Sequence, residues 1–240
     1  MKPIAILRFA DADGPAYFAD FLNEAGRPFI EVRIDQERAV PGSASEFAGL
    51  GLMGGPMSVN DPLPWIPQAL SLIRDAVAKD IPLIGHCLGG QLISKALGGS
   101  VRRNPNGKEI GWHPLQILDP VLAEEWLGSA GGFDAFHWHG ETFTLPEGAR
   151  WLARSERCDH QAFVLGPHIG MQFHIEMNES TIADWCSGGE KEIVSARKKP
   201  DNHPAVMAAD VIQAITPVAL PRMRAAARHL YQRWLRPVRT

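Results

Sequence analysis

The chain has 240 residues, 45% of them hydrophobic and 21% charged, with a formal net charge of −3. That is enough apolar material for one large core, and it excludes a disordered chain. The acidic balance argues against a nucleic-acid binder. No apolar run approaches the roughly 18 residues of a membrane span, and acidic residues follow the short apolar N-terminal run MKPIAILRFADADG at once, unlike a signal peptide. Cys87, Cys158 and Cys186 are too few and unpaired for a disulfide frame. They fit free thiols in a reducing compartment, so the expected location is cytoplasmic.

In chain order, Pro3 to Phe9 reads as a strand, and Gly14 to Ala25 as a helix closed by Gly26. Phe29 to Ile34 and Gly49 to Met53 read as two more strands, the second running into Gly54-Gly55-Pro56. Trp65 to Ala78 carries a helical period, and Ile81 to Ile84 is a short buried strand. Leu88 to Leu97 places Leu88, Leu92, Ile93 and Ala96 at helical spacing, ended by Gly98-Gly99. Alternating strands and helices predict βαβ units and a mainly parallel sheet. Ligands in such sheets bind beyond the C-terminal strand ends, where Gly54-Gly55-Pro56 and Cys87 both fall.

The middle of the chain predicts an antiparallel meander plus the last strands of the main sheet, from runs at 110–118, 135–143, 150–155, 161–165 and 170–175. From Thr181 onward the pattern is helical. Asn202-His203-Pro204 reads as a linker before a final helix of 25–30 residues, with Pro217 and Pro221 as possible breaks. The basic segment RMRAAARHLYQRWLR within it reads as a helix packed on the domain with a solvated arginine face. This gives one domain over residues 1–200 and a helical extension over 201–240 packed on it.

A cysteine at a strand-to-helix turn, as in GHCLGGQ, sits where a helix N-terminus offers partial positive charge and unpaired N–H groups. A buried structural cysteine is the competing reading there. In MQFHIEM, His174 and Glu176 are two apart on a strand-like run and would share a face, so the imidazole and carboxylate would pair. A solvated histidine after a core strand is the alternative.

GLMGGPMSV, GHCLGGQ and QFHIEM, in this order and at these spacings, resemble the three signatures of class I glutamine amidotransferase domains. The resemblance covers roughly residues 45–180 and implies an α/β, flavodoxin-like three-layer fold with an added antiparallel meander. It implies Cys87 as nucleophile, His174 as general base and acid, and Glu176 as its orienter. It assigns oxyanion donors to the backbone N–H groups of Gly55 and Leu88. Substrate contacts fall to Gln91, Met57 and the Gly140–Glu141 loop. No cofactor and no metal are implied. The implied substrate is glutamine or a larger γ-glutamyl amide, the second making the chain a γ-glutamyl peptidase. A non-catalytic regulatory module that kept the fold is a third possibility, and it predicts loss of one of Cys87, His174 or Glu176. No nucleotide-binding signature is present, so an ammonia-consuming synthetase would be a separate subunit.

Some positions depart from the pattern. His86 precedes the nucleophile position where a small or apolar residue is usual, and is expected to point into the helix layer. Gly90 replaces a bulkier residue and is expected to enlarge the substrate pocket, and Trp138 replaces a polar one beside the substrate. A metal cluster of His86, Cys87, His137 and His139 is disfavoured for want of a carboxylate-rich partner motif. His113, His160 and His168 lie beside turn residues and are expected at the surface, and Cys158 and Cys186 as packed or idle thiols.

Overall fold

The computed structural model describes residues 2–199 and 205–238. Eight described strands form one sheet in the order β2 (Phe29–Arg33), β1 (Ile4–Arg8), β3 (Gly49–Leu52), β4 (Leu83–His86), β12 (His168–Met171), β11 (Ala162–Leu165), β10 (Arg150–Arg154) and β7 (Gln116–Ile117). The first five run parallel, and β11, β10 and β7 add an antiparallel edge. Two short antiparallel pairs stand outside it: β5 (Val101–Arg103) with β9 (Glu141–Phe143), and β6 (Glu109–Pro114) with β8 (Asp134–His139).

Parallel strands buried on both faces need apolar residues on both. On β1, Ile4 and Ile6 enter one core while Ala5 and Leu7 enter the other. The first core is covered by α1 (Ala16–Glu24), α4 (Pro120–Leu127), α5 (Glu179–Gly188), α6 (Glu190–Arg197) and α7 (Ala209–Leu235). The second is covered by α2 (Trp65–Ala78) and α3 (Leu88–Ala96). The result is the expected three-layer arrangement.

Helix α4 and strand β5 are absent from the sequence reading. Helix α4 carries a legible start signal: Asp119 caps it, its carboxylate accepting from Leu122 N at 3.0 Å, with Pro120 in the first turn. The strand expected over 170–175 ends instead at Met171. His174 lies beyond it in an isolated bridge to Phe136.

Helix α7 is continuous through Pro217 and Pro221. Each proline removes one N–H from the helix ladder. Gln213, Pro217 and Pro221 all lie on the exposed face, where solvent rather than the core adjoins the carbonyls the prolines leave free. The opposite face buries Met223, Ala227, Leu230, Tyr231 and Trp234. The arginine face is paired as well as solvated: Arg228 meets Glu24 at 2.8 Å, and Arg233 meets Glu125 while lying over the Trp126 ring. The expected linker at 202–204 lies outside the described residues. Among the described residues no helix is long and apolar enough to cross a membrane.

Candidate active site

Cys87 stands between the last residue of β4, His86, and the first of α3, Leu88. Its φ of 49° lies in the left-handed region that a side chain rarely adopts, a strained turn of the kind found where a residue is held for function. Close packing enforces the turn. A Cβ on Gly85 would lie 2.5 Å from the Gly89 carbonyl carbon, and one on Gly89 would lie 2.1 Å from the Leu52 oxygen. Only glycine lets α3 start this near the sheet.

The expected pair forms, by a different route. His174 Nδ1 stands 2.7 Å from Glu176 Oε1, both buried, but the segment is not a regular strand. It is held by backbone hydrogen bonds to other elements: His174 N donates to Phe136 O at 2.8 Å, and Tyr17 N donates to Glu176 O at 2.8 Å. Burial works against protonation of His174, but the Glu176 carboxylate and the Cys87 sulfur outweigh it and hold its pKa well above the ordinary histidine value. Burial likewise works against Glu176 ionisation, and the His86 and His174 imidazoles outweigh that, so its pKa is lowered. Cys87 and the His174–Glu176 pair thus lie near enough to feel one another's charge, just beyond the ends of β4 and β12.

Cys87, His174, Gly55, Met57, Gln91, Gly140 and Glu141 all line one cleft of about 1170 Å³. Leu88, the first residue of α3, has an N–H with no partner inside its own helix. Gln91 Nε2 donates to Gln172 Oε1 at 3.1 Å, and Gln172 Nε2 donates to Cys87 Sγ at 3.4 Å. The Glu141 carboxylate accepts from Ser58 Oγ at 3.0 Å, and the Gly140 carbonyl from Asn104 N at 2.9 Å, which fixes the loop.

Two expectations about the departures are corrected. Gly90 is not a pocket position: a Cβ there would lie 2.3 Å from the Met171 carbonyl oxygen, so its bareness seats α3 on β12 and adds no room to the cleft. His168 is buried, not at the surface, and burial pushes its pKa down to about 4. His113 and His160 are half-buried. His86 does enter the helix layer, against Phe18 and Tyr231, and there its Nε2 also comes within 3.9 Å of Glu176 Oε2. Trp138 lines the cleft, edge-on to Trp185 with centroids 5.8 Å apart.

His137 and His139 share a face of β8, with ring centroids 5.8 Å apart, but among the described residues the donor atoms of His86 and Cys87 do not converge with theirs. Among the described residues a different trio, Glu109, His139 and Cys158, brings donor atoms within 4.8 Å of one another. Those atoms are already engaged: Gln161 Nε2 meets Glu109 at 2.8 Å and His139 at 3.2 Å, and Thr142 Oγ1 meets Cys158 Sγ at 3.1 Å. Cys158 and Cys186 are buried free thiols.

Three residues of the site escaped the sequence reading: Asp13 and Trp185, which line the cleft, and Gln172, buried behind Cys87. Gln172 carried a signal, since it opens the QFHIEM motif. Asp13 follows β1 and faces the same end of the sheet; a methyl on Gly54 would lie 2.6 Å from its Oδ1 and 3.0 Å from His174 Cε1. Burial pushes its pKa up to about 6, although His174 and Arg8 pull the other way. Trp185 packs edge-on to the His174 ring at 4.8 Å and donates to Ala12 O at 2.8 Å. Nothing local in the α5 sequence marks it.

The class-I glutamine amidotransferase family model matches residues 19–184. The glutamine amidotransferase-like protein YfeJ of Salmonella typhimurium is 32% identical over 174 residues, covering 70% of this chain and 72% of that protein. A glutamine-hydrolysing GMP synthase subunit from Sulfolobus acidocaldarius is 34% identical over 138 residues, covering 56% of this chain and 70% of the relative. A crystal structure of a glutamine amido transferase from Methylobacillus flagellatus superposes with a TM-score of 0.95 at 42% identity, over 100% of this chain and 96% of that one. A Thermotoga maritima glutamine amidotransferase gives 0.87 at 25% identity, over 98% of each. With the family model spanning more than half the chain and carrying Cys87 and His174 inside it, this protein belongs to the class-I glutamine amidotransferase family.

Proposed function

We propose that the protein is an amide hydrolase that releases ammonia from glutamine through a γ-glutamyl thioester on Cys87. The observation that carries this reading is Cys87 on a strained turn, electrostatically coupled to a buried His174–Glu176 pair at the floor of an open cleft. Glu176 holds Nδ1 of His174, which leaves Nε2 for the thiol. His174 takes the thiol proton, and the sulfur attacks the side-chain amide carbon. The N–H groups of Gly55 and Leu88 receive the developing oxyanion, an interaction worth about 3–4 kcal/mol per donor. The C–N bond breaks as His174 returns its proton to the leaving nitrogen, and ammonia departs. His174 then deprotonates a water that cleaves the thioester, giving glutamate and the free thiol. Gln91, Met57, Gly140 and Glu141 hold the amino-acid end of the substrate. The step needs no metal and no organic cofactor.

The intact Cys–His–Glu set weighs against a non-catalytic module. A second reading, cleavage of a larger γ-glutamyl amide, rests on cleft size alone now that Gly90 is seen to face the sheet. A cleft of about 1170 Å³ has room beyond one glutamine. An ammonia-accepting synthetase on a separate polypeptide is supported by the relative that is itself one subunit of a GMP synthase. The three free cysteines support a cytoplasmic location.

The test is incubation of the purified protein with glutamine and with γ-glutamyl dipeptides, reading ammonia or amine release. A glutamine-shaped diazoketone that alkylates thiols serves as a turnover-independent probe. Release from one substrate class, together with modification at Cys87, is the expected result. No release from any substrate and no modification of Cys87 overturn the proposal.

A further inference from the structure

Glu176 uses only one of its two oxygens on His174. The other, Oε2, is buried and has no hydrogen-bond partner. Carboxylate oxygens are seldom left so in a protein interior, because the desolvated charge needs a donor. His86 Nε2 faces it at 3.9 Å, with Tyr231 Oη 3.4 Å from the same nitrogen. His86, Glu176 and Tyr231 are each at most 2% exposed, so water does not screen the contact. From this geometry we propose that His86, steadied by Tyr231 of the C-terminal helix, is a positioning residue that orients the Glu176 carboxylate for His174.

At 3.9 Å the contact is longer than a hydrogen bond and acts as a charge–dipole interaction. The tautomer with its proton on Nε2 turns the positive end of the imidazole toward Oε2, and the Tyr231 oxygen accepts part of the same proton. Burial lowers the His86 pKa, against the pull of Glu176, so the ring is neutral. A neutral dipole suits the task, since a second full positive charge would compete with His174 for the carboxylate. Tyr231 is itself fixed by Phe18 and Phe21, with centroids 4.8 and 5.4 Å away. Helix α7 thereby supports the reacting groups, in addition to covering the sheet. The usual small or apolar residue before the nucleophile would leave Oε2 without this dipole.

The proposal rests on the hydrolase reading, and its test separates the two. His86→Leu keeps the bulk and removes the donor; His86→Gln restores an N–H at nearly the same reach. The Leu variant should lose about tenfold in kcat with KM little changed, and the Gln variant should recover most of it. In a Glu176→Gln background, His86→Leu should cost nothing further, because the charge it serves is gone. Tyr231→Phe should show a smaller loss of the same kind, and it reads the proposal if the Leu variant does not fold. A substrate-free arm follows Cys87 alkylation by iodoacetamide against pH. A loosened Glu176 makes His174 less basic, so the midpoint should move upward in the Leu variant and not in the Gln variant. The groups facing His86 in that titration are Glu176, His174 and Tyr231. Wild-type kinetics and an unmoved midpoint in the Leu variant overturn the inference. So does an equal loss in the Glu176→Gln background, which would mark a purely structural role. If the wild type hydrolyses nothing, the hydrolase reading fails while the alkylation arm still decides His86.

Discussion

His174 Nδ1 and Glu176 Oε1 lie 2.7 Å apart in a segment that belongs to no strand. Two backbone hydrogen bonds, one to Phe136 and one from Tyr17, hold the two residues in place. The pair is therefore set by β8 and α1, elements far from it in sequence, and its chemistry can be probed by substitutions that leave those bonds alone.

Cys87→Ala should abolish amide hydrolysis and leave the fold intact. Alanine removes the sulfur and little volume, and the left-handed turn is enforced by the glycine packing around it. Steady-state ammonia release and a thermal melt on the same sample check this. A well-folded variant with activity near wild type would remove Cys87 from the mechanism.

Iodoacetamide at neutral pH should label Cys87 before the other two thiols. Burial pushes the Cys158 thiol up to about 12 and raises that of Cys186 as well, so neither supplies thiolate at pH 7. Cys87 instead borders the cleft beside His174. Peptide mapping after brief exposure gives the order, and Cys158 or Cys186 appearing first contradicts it.

Asp13→Asn should stabilise the protein at pH 8 and change little at pH 3.5. The folded-state pKa is raised from 3.8 to about 6 by burial, so between those values the folded state binds more protons than the unfolded one. Stability therefore falls as pH rises through that window and stays lower above it. After discounting for solvent screening at the cleft wall, the cost is about 1–2 kcal/mol at pH 8. Removing the charge should raise the Tm by about 3–6 °C there. Parallel melts at the two pH values test the sign; a lower Tm for the variant at pH 8 would refute it.

Gly90→Ala should destabilise strongly without altering substrate preference. The added methyl would sit 2.3 Å from a backbone oxygen of β12, which cannot move aside as a flexible side chain would. Overpacking of this kind costs about 1–3 kcal/mol or more. The Tm and the ratio of kcat/KM for a γ-glutamyl dipeptide over glutamine are the measurements. A changed ratio at unchanged Tm would restore Gly90 to the pocket.

Some of this was legible in the chain itself. The alternation of apolar runs with helical periods located β1, α1, β2, β3, α2, β4 and α3, because each spans a run long enough to show its period. Three short motifs pointed to Cys87, His174 and Glu176, because a cysteine at a strand-to-helix turn and a His-x-Glu spacing are local patterns. Other features depended on contacts between segments distant in sequence. Whether bare Gly90 means room or close packing depends on Met171, some eighty positions away. That His86 meets Glu176 depends on α7 closing over the same face with Tyr231. Asp13 reaches the surroundings of His174 from the turn after β1, at the far end of the chain. Local sequence sets the backbone's preferences and the available chemistry. Which buried groups face one another is decided only when the layers pack, since desolvation and charge pairing act through space and not along the chain.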